Sequence, residues 1–159
     1  MRIKGLIDED FVNFKLPCMY ICSAECSFKC DSENGGDYCQ NSILAKAEDL
    51  DINDDAIIKR YLANDITKSI CISGLEPFDQ FDEMLEFIKK LRNEYACDDF
   101  VVIYSGYNAD EIADKVEALK GFKNIIVKFG RYIPRQRKHM DKVLGVKLAS
   151  SNQYAEQIS

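Results

Sequence analysis

The sequence lacks the features that define several large classes of protein. It has no run of about 18 apolar residues, so we expect no membrane-spanning helix. Its charged first residues, 1–11, are unlike a secretory signal, so we expect a cytoplasmic protein. Lys and Arg number 21 against 27 Asp and Glu, which argues against nucleic acid as the main partner, because phosphate binding needs clustered cations. The sequence contains no phosphate-binding P-loop and no Ser-His-Asp arrangement.

Cysteine, by contrast, is abundant in this chain of 159 residues, whose length and ordinary share of apolar residues (47%) predict a single domain spanning residues 1–159. Five of the seven cysteines lie within the first 39 residues. In a reducing compartment, clustered cysteines bind metal or do redox work more often than they form disulfides. The cluster consists of Cys18, Cys22, Cys26, Cys30 and Cys39. A metal or redox function is therefore expected of this part of the chain.

Beyond a polar loop at residues 31–37, short apolar segments alternate with amphipathic ones. Strands are predicted at residues 19–22, 69–73, 100–104 and 124–129, with a further short one at 146–148. Helices are predicted at residues 54–63 and 78–95, and from Asn108, which forms a capping box with Glu111, to Gly121. Such alternation predicts βαβ units, an α/β fold with a mostly parallel sheet, and a site where the carboxyl ends of the strands converge.

The spacing of the cysteines distinguishes between three chemistries: zinc, iron–sulfur and thiol redox. Three residues separate Cys22 from Cys26 and Cys26 from Cys30, and eight separate Cys30 from Cys39. Thiol redox pairs usually have two intervening residues, and zinc ribbons usually have two close pairs. No second close pair follows, and the single histidine, His139, is far away in sequence. Zinc is therefore an open but poorly matched alternative to an iron–sulfur cluster.

The segment Cys26-Ser-Phe-Lys-Cys30 resembles the opening of the radical S-adenosylmethionine (SAM) signature, in which a polar, an apolar and a basic residue separate two cysteines. The third cysteine of that signature follows an aromatic residue, and Tyr38 precedes Cys39 in the same way, after a longer gap. The resemblance implies that Cys26, Cys30 and Cys39 hold a [4Fe–4S] cluster. The alternative triplet has Cys22 in place of Cys39. Three thiolates leave one iron open for the methionine end of SAM, whereas four close the cluster.

Four segments further along the chain extend the resemblance. Residues 73–77 (SGLEP) follow a strand and resemble the Gly-Gly-Glu-Pro motif of radical SAM proteins. Residues 104–107 (YSGY), 129–132 (FGRY) and 150–153 (SSNQ) resemble segments of anaerobic ribonucleoside-triphosphate reductase activating proteins. Together with the cysteines, these segments extend the likeness over nearly the whole chain.

The resemblance implies both a fold and an activity. The fold would be a small, partial (βα) barrel of the radical SAM type, α/β in class, with a mostly parallel sheet, helices on the outside and a cluster loop at about residues 18–41. A one-electron donor such as reduced flavodoxin would charge the cluster, which would cleave SAM to methionine and a 5′-deoxyadenosyl radical. That radical would abstract hydrogen from a glycine of the partner protein, anaerobic ribonucleoside-triphosphate reductase, and leave a glycyl radical there.

The resemblance also implies roles for residues near the cofactor. Tyr38 would pack near the adenine of SAM, the segment at 73–76 would border its methionine, and Ser105 and Tyr107 would lie near the ribose or the carboxylate. Asn152, with the residue after it, would close the pocket or face the partner. The implied SAM-binding residues are Tyr38, Ser73, Gly74, Glu76, Ser105, Tyr107 and Asn152.

Alternatives stay open for the function and for one surface segment. A radical SAM enzyme acting on a small molecule, such as a 7-deazaguanine-type synthase, has the same cluster motif. A non-enzymatic iron–sulfur carrier predicts four cluster ligands, and a zinc-binding interaction module predicts a colourless protein. The basic stretch at residues 135–139 is expected to be a solvated surface or, alternatively, a contact for an acidic partner.

Overall fold

The computed structural model describes residues 1–39 and 41–159, and its largest feature is a sheet of six strands. In chain order the strands are β1 (Ile3–Asp10), β2 (Cys18–Ser23), β3 (Ser69–Gly74), β4 (Phe100–Tyr104), β5 (Ile125–Phe129), β6 (His139–Met140), β7 (Lys147–Leu148) and β8 (Tyr154–Gln157). The sheet has the order β1–β2–β3–β4–β5–β8, and β6 pairs with β7 separately. Strands β2 to β5 are parallel, while β1 and β8 flank them in antiparallel orientation. The protein therefore has the mixed α/β class and mostly parallel sheet that the sequence predicts.

The helices are α1 (Lys29–Asn34), α2 (Asp54–Leu62), α3 (Phe81–Asn93) and α4 (Ala113–Leu119), with 3-10 turns at Leu44–Lys46, Pro77–Gln80 and Ala109–Ile112. The last three follow strands, as the apolar periodicity predicts. The prediction of a loop at residues 31–37 is wrong in part, because α1 occupies its first residues; α1 buries no residue and so has no apolar periodicity that would indicate it. The side chain of Asn53 accepts the amide of Ala56 and caps α2. Glu111 accepts the amide of Asn108 at 2.9 Å, as in the predicted capping box, which opens the 3-10 turn before α4. The single helix predicted at 78–95 is a 3-10 turn followed by α3.

The two faces of the sheet are covered differently. Successive side chains of a strand point to opposite faces, so each strand contributes to two separate cores. The core shared with α2, α3 and α4 includes Ile57, Ile70, Ile72, Phe87, Val101 and Leu119. The core on the opposite face includes Phe14, Cys18, Cys71, Val102, Ile126 and Leu144. Long helices therefore cover one face, and irregular segments together with β6 and β7 cover the other.

The strand predicted at residues 146–148 lies outside the main sheet, and the sequence does not predict the two edge strands, β1 and β8. Residues 146–148 contribute β7, which pairs with β6 outside the main sheet. The carboxylate of Asp141 accepts the amides of Val143 and Leu144 at 2.9 Å, and this turn brings β7 back onto β6. In β8 only Ala155 is buried, and β1 has buried residues mainly at its ends, so neither strand has the apolar pattern that predicts one.

The strand pairings run linearly from β1 to β8, so within the described residues the sheet is open at both edges. These pairings establish an open, mostly parallel sheet with helices on one face. The partial barrel that the resemblance implies is a more specific arrangement, and it stays a prediction. None of the helices in this part of the chain is long and apolar enough to cross a membrane.

Arg92, near the end of α3, joins the helix to the chain segments at the amino ends of β4 and β5. Its buried guanidinium donates to the carbonyls of Cys97 (2.5 Å), Asp99 (2.8 Å) and Lys123 (2.9 Å). One side chain thus satisfies three backbone acceptors that the fold removes from water, far from the carboxyl ends of the strands.

We expect Arg92→Leu to lower the free energy of unfolding by about 2–3 kcal/mol, because buried carbonyls lose a charged donor. Urea-induced unfolding followed by circular dichroism measures this change. The matched control is Arg60→Leu, which removes an exposed ion pair with Asp8 and should cost far less. Equal losses in the two variants would contradict the structural role of Arg92.

Candidate functional site

A cavity of about 190 Å³ opens at the carboxyl ends of the parallel strands. Its walls come from the ends of β3, β4 and β5, from the segments that follow β2 to β5, and from the segment that precedes β8. These pieces lie far apart in sequence, between Cys26 and Gln153, and the parallel register of the strands brings them together. The cavity therefore lies at the edge of the sheet where the sequence predicts a site.

Three thiols line this cavity, those of Cys26, Cys30 and Cys39. Each is partly exposed. The amide of Phe28 donates to the sulfur of Cys26 at 3.3 Å, and the amide of Tyr132 faces the sulfur of Cys30. Amide donors favour the thiolate form, which is the form that binds metal. The structure thus brings the three predicted ligands to one cavity, and their ligation stays a prediction.

The polar insertion between Cys30 and Cys39 folds back on itself, so it does not separate the two cysteines. Helix α1 ends at Gly35, whose φ of 70° lies in the left-handed region that glycine favours. The carboxylate of Asp31 accepts the amides of Tyr38 (2.8 Å) and Cys39 (2.7 Å) and closes the loop. The long gap in the cysteine spacing is therefore compatible with a shared cavity.

Burial favours the neutral form of two of the cavity thiols, those of Cys26 and Cys30. Desolvation raises the pKa of Cys26 to about 12, and the neighbouring carboxylates of Glu76 and Asp79 add to that rise. Desolvation raises the pKa of Cys30 as well. Thiolates at these positions need a compensating cation, which a metal centre supplies as the protons leave.

The donor set is compatible with a cluster. In residues 1–39 and 41–159, no three Cys, His, Asp or Glu side chains are grouped as ligands of one metal ion. A [4Fe–4S] cluster binds each thiolate on a separate iron, so its ligands must be spread around a space. Three thiols around one cavity fit that requirement, with Cys26, Cys30 and Cys39 as the residues that would hold the cluster.

The other four cysteines do not line the cavity. Cys22 lies on β2, and its sulfur faces β1, because a Cβ added to Gly5 would stand 3.2 Å from it. Cys18 and Cys71 are fully buried in the core opposite the helices, and Cys97 is buried beyond α3. Cys22, the alternative ligand, therefore belongs to the sheet and not to the cavity wall.

Glu76 is buried in the cavity wall just after β3. Its carboxylate accepts the hydroxyl of Ser105 (2.9 Å) and the amides of Gly106 (2.7 Å) and Phe78 (3.2 Å). Burial raises its pKa to about 7, although these donors favour the charged form. Glu76 therefore connects the ends of β3 and β4, and its charge changes near neutral pH.

Lys128 of β5 supplies a cation to the same cavity. Its buried ammonium donates to the carbonyls of Ser105 (3.0 Å) and Gly130 (2.6 Å), which leaves one hydrogen for the cavity. Burial lowers its pKa to about 8, while Glu76 favours its charged form. Sequence reasoning missed this residue, and the available signal was a lysine inside the apolar strand at 124–129.

Ser73, Gly74 and Ser105 line the cavity, as the resemblance implies for SAM-binding residues. Gly74 has a φ of 87°, and an added Cβ would stand 3.0 Å from Cys22 Cα, so the position favours glycine. The side-chain amide of Asn41 donates to the carbonyl of Gly74 at 2.5 Å. This hydrogen bond joins the end of the cysteine loop to the end of β3.

Three other implied residues lie outside the main cavity. Tyr107 borders a smaller recess beside Cys26 and Cys30, and its hydroxyl donates to Asp79 at 2.5 Å. Tyr38 is 44% exposed and is not part of the cavity wall. Asn152 donates its side-chain amide to the carbonyl of Arg131 at 2.8 Å, and neither residue is part of the cavity wall. These placements leave the proposed contacts with SAM untested.

Arg131 connects the cysteine loop to the body of the fold, a role that sequence reasoning missed. Its buried guanidinium donates twice to Glu111, at 2.5 and 2.6 Å, and its Nε lies 3.1 Å from the carboxylate of Glu33 in α1. The ammonium of Lys29 lies 3.4 Å from Glu111 and 4.6 Å from the ring centre of Tyr107. Arg131 holds the pKa of Glu111 at about 2, so this network stays charged at neutral pH.

Comparison with known proteins agrees with the chemistry of the cysteine loop. No curated protein and no solved structure matches the chain. The model of one family, described as the 4Fe-4S single cluster domain, matches residues 18–154. That match covers most of the chain and includes every segment that lines the cavity. The chain belongs to the 4Fe-4S single cluster domain family.

Proposed function

We propose that this protein is a radical SAM activating enzyme. In this proposal, Cys26, Cys30 and Cys39 hold a [4Fe–4S] cluster, SAM binds in the adjoining cavity, and SAM is cleaved reductively. This cleavage enables the removal of a hydrogen atom from a glycine of anaerobic ribonucleoside-triphosphate reductase, which leaves a glycyl radical there. Reduced flavodoxin or a similar protein provides the electron.

The observation that carries the proposal is the joint presence of three thiols and two opposite charges around one cavity. Three protein thiolates leave one iron of a [4Fe–4S] cluster open to another ligand. The carboxylate of Glu76 and the ammonium of Lys128 line the same cavity. An amino-acid end, with its own ammonium and carboxylate, complements this pair of charges. Methionine is the amino-acid end of SAM, so the cavity chemistry suits that cofactor.

The chain's own residues would bind and orient this end of the molecule. Lys128 has one ammonium hydrogen that the carbonyls of Ser105 and Gly130 do not use, and this hydrogen is available to a carboxylate. Glu76 is held in place by three donors and presents its charge to an ammonium. The side chains of Leu75 and Tyr104 add apolar surface that limits water. When bound and reduced, the cluster supplies the single electron that cleaves the sulfonium bond of SAM.

The choice of an activating enzyme rests on how the family-like segments are placed. The resemblance to reductase-activating proteins rests on residues 104–107, 129–132 and 150–153, which are widely separated in sequence. In the structure each of these segments contributes to the cavity wall, through Tyr104, Tyr132 and Gln153 among others. Segments that share a likeness to one family and also share one cavity support a common function.

We expect the reconstituted protein to cleave SAM when dithionite is added under anaerobic conditions. Chromatography of 5′-deoxyadenosine and methionine measures the reaction, with the unreconstituted protein as the control. A protein that holds a [4Fe–4S] cluster and yields no 5′-deoxyadenosine would overturn the enzyme proposal and favour an electron carrier. A glycyl radical signal on added anaerobic ribonucleoside-triphosphate reductase, seen by electron paramagnetic resonance, tests the partner.

We expect Cys26→Ala, Cys30→Ala and Cys39→Ala each to lose most of the bound iron, because each removes one of three ligands. The matched control is Cys22→Ala, which should keep its iron, because Cys22 faces β1 and lies outside the cavity. Iron and sulfide analysis after anaerobic reconstitution measures the effect. Loss of iron in the Cys22 variant with retention in the Cys39 variant would replace the proposed ligand set by the compact triplet.

We expect the affinity for SAM to increase as the pH rises from 6 to 8. The raised pKa of Glu76, about 7, means that the carboxyl is mostly protonated at pH 6 and mostly ionised at pH 8. The ionised fraction of Glu76 rises by about tenfold over this range, while Lys128, with a pKa of about 8, loses about half of its charge, so the affinity for SAM should rise by about fivefold. Equilibrium binding to the reconstituted protein measures the change.

Glu76→Gln should weaken SAM binding by about 10-fold or more, the effect of losing a charge-assisted hydrogen bond. It should also remove the contribution of Glu76 to the pH dependence. The control ligand is 5′-methylthioadenosine, which has no amino-acid end and should bind the variant and the unmodified protein equally. An unchanged pH dependence of SAM binding in the Gln variant would exclude Glu76 as the titrating group.

A further inference from the structure

The charges of this chain are divided unevenly between one surface segment and the rest. Residues 132–148, which contain β6 and β7 and are called the basic lobe below, carry five Lys or Arg against one acidic residue. The rest of the chain carries 16 Lys or Arg against 26 Asp or Glu. A net charge of +4 thus lies beside a net charge of −10. The cations of the basic lobe are Arg135, Arg137, Lys138, Lys142 and Lys147.

The cations of the basic lobe are exposed and form no ion pair within residues 1–39 and 41–159. All five side chains belong to exposed residues, and none forms an ion pair with another described residue. The single acid, Asp141, is buried and accepts the amides of Val143, Leu144 and Ala155, so its charge is used inside the fold. The apolar side chain of Met140, which lies between Lys138 and Lys142 in sequence, is 57% exposed. An apolar side chain within a rim of free charge is typical of a protein-binding surface.

The basic lobe is joined directly to the cysteine site. Tyr132, its first residue, lines the cavity, and the amide of Tyr132 faces the sulfur of Cys30. The side-chain amide of Asn34 donates to the carbonyls of both Cys30 (2.6 Å) and Tyr132 (3.2 Å). Ala149, which follows the lobe, also lines the cavity. A protein that docks on the lobe therefore lies next to the wall that contains Cys30.

We propose that the basic lobe is the docking surface for an acidic protein that carries a low-potential one-electron carrier. This inference rests on the proposed function, which requires an electron to reach the cluster. The donor protein loses one electron and the cluster gains it, so the transfer needs no other reactant. The acidic surface elsewhere on the chain repels the same donor, which restricts docking to the lobe.

The test compares two variants that change the net charge equally. The lobe variant is Arg137→Glu with Lys138→Glu, and the matched control is Lys59→Glu with Lys68→Glu, two exposed lysines without ion pairs among the described residues. The probe is a reduced acidic flavodoxin. Two quantities are measured: its affinity for the protein without the cluster, and the rate at which it bleaches the cluster absorption of the reconstituted protein.

The lobe variant should show a loss of about 10-fold or more in both quantities at low ionic strength, and the difference should shrink as salt is added. The control variant should behave as the unmodified protein, and reduction by dithionite should be the same in all three. Equal effects in the two variants, or no effect in either, would overturn the proposal. Selective loss of binding to single-stranded RNA or to vesicles containing phosphatidylserine, with flavodoxin reduction unchanged, would also overturn it and assign the lobe to a polyanion.

The experiment separates this inference from the proposed function. Docking and cluster reduction are read without any cleavage of SAM. A protein that is reduced through the lobe but produces no 5′-deoxyadenosine would leave the docking surface in place and remove the enzyme function. A protein that cleaves SAM with dithionite, but whose reduction by flavodoxin is the same in the lobe variant, would keep the enzyme function and exclude the lobe as the docking surface.

Discussion

The cavity depends on one buried carboxylate at the point where two parallel strands end. Glu76 accepts donors from its own turn and from the turn after β4, and these bonds define the wall between them. Its burial has an electrostatic consequence, because the nearby ammonium of Lys128 is also buried. Glu76 favours the charged form of Lys128 against the cost of desolvation. The charge state of Lys128 therefore depends on the carboxylate that also joins the ends of the two strands.

The cysteine loop is subject to a related constraint, since burial raises the pKa of the thiols of Cys26 and Cys30. Contacts that do not involve the thiols also hold this loop in place. Asp31 closes it by accepting two backbone amides. The ion pairs of Arg131 with Glu33 and of Lys29 with Glu111 attach α1 to the body of the fold. These contacts restrict the positions of the thiols before any ligand binds. The loss of conformational entropy on metal binding is therefore smaller. Position and protonation are thus controlled by separate sets of residues.

The parts of the molecule that the sequence predicts are those whose signals are local. Strands β3, β4 and β5 are buried on both faces and therefore have continuous apolar runs, whereas β1 and β8 lie at edges where that pattern is weak. The flanking residues of Cys26, Cys30 and Cys39 indicate a cluster loop, because each flanking signal is adjacent in sequence to its cysteine. Lys128 and Arg131 gain their roles only from strand register and from contacts with distant segments, and no local pattern indicates such contacts.

One continuous segment contributes both to the wall of the cavity and to the basic lobe. Between Phe129 and Tyr154 the chain forms a wall of the cavity, leaves it as the basic lobe, and returns to the wall at Ala149 and Gln153. Free charges are screened within about 8 Å at physiological ionic strength, so the lobe would act on the proposed partner mainly at close range. The lobe begins at Tyr132, whose carbonyl accepts the side-chain amide of Asn34 and whose amide faces the sulfur of Cys30. A protein docked on the lobe would therefore lie beside the contacts that surround this thiol.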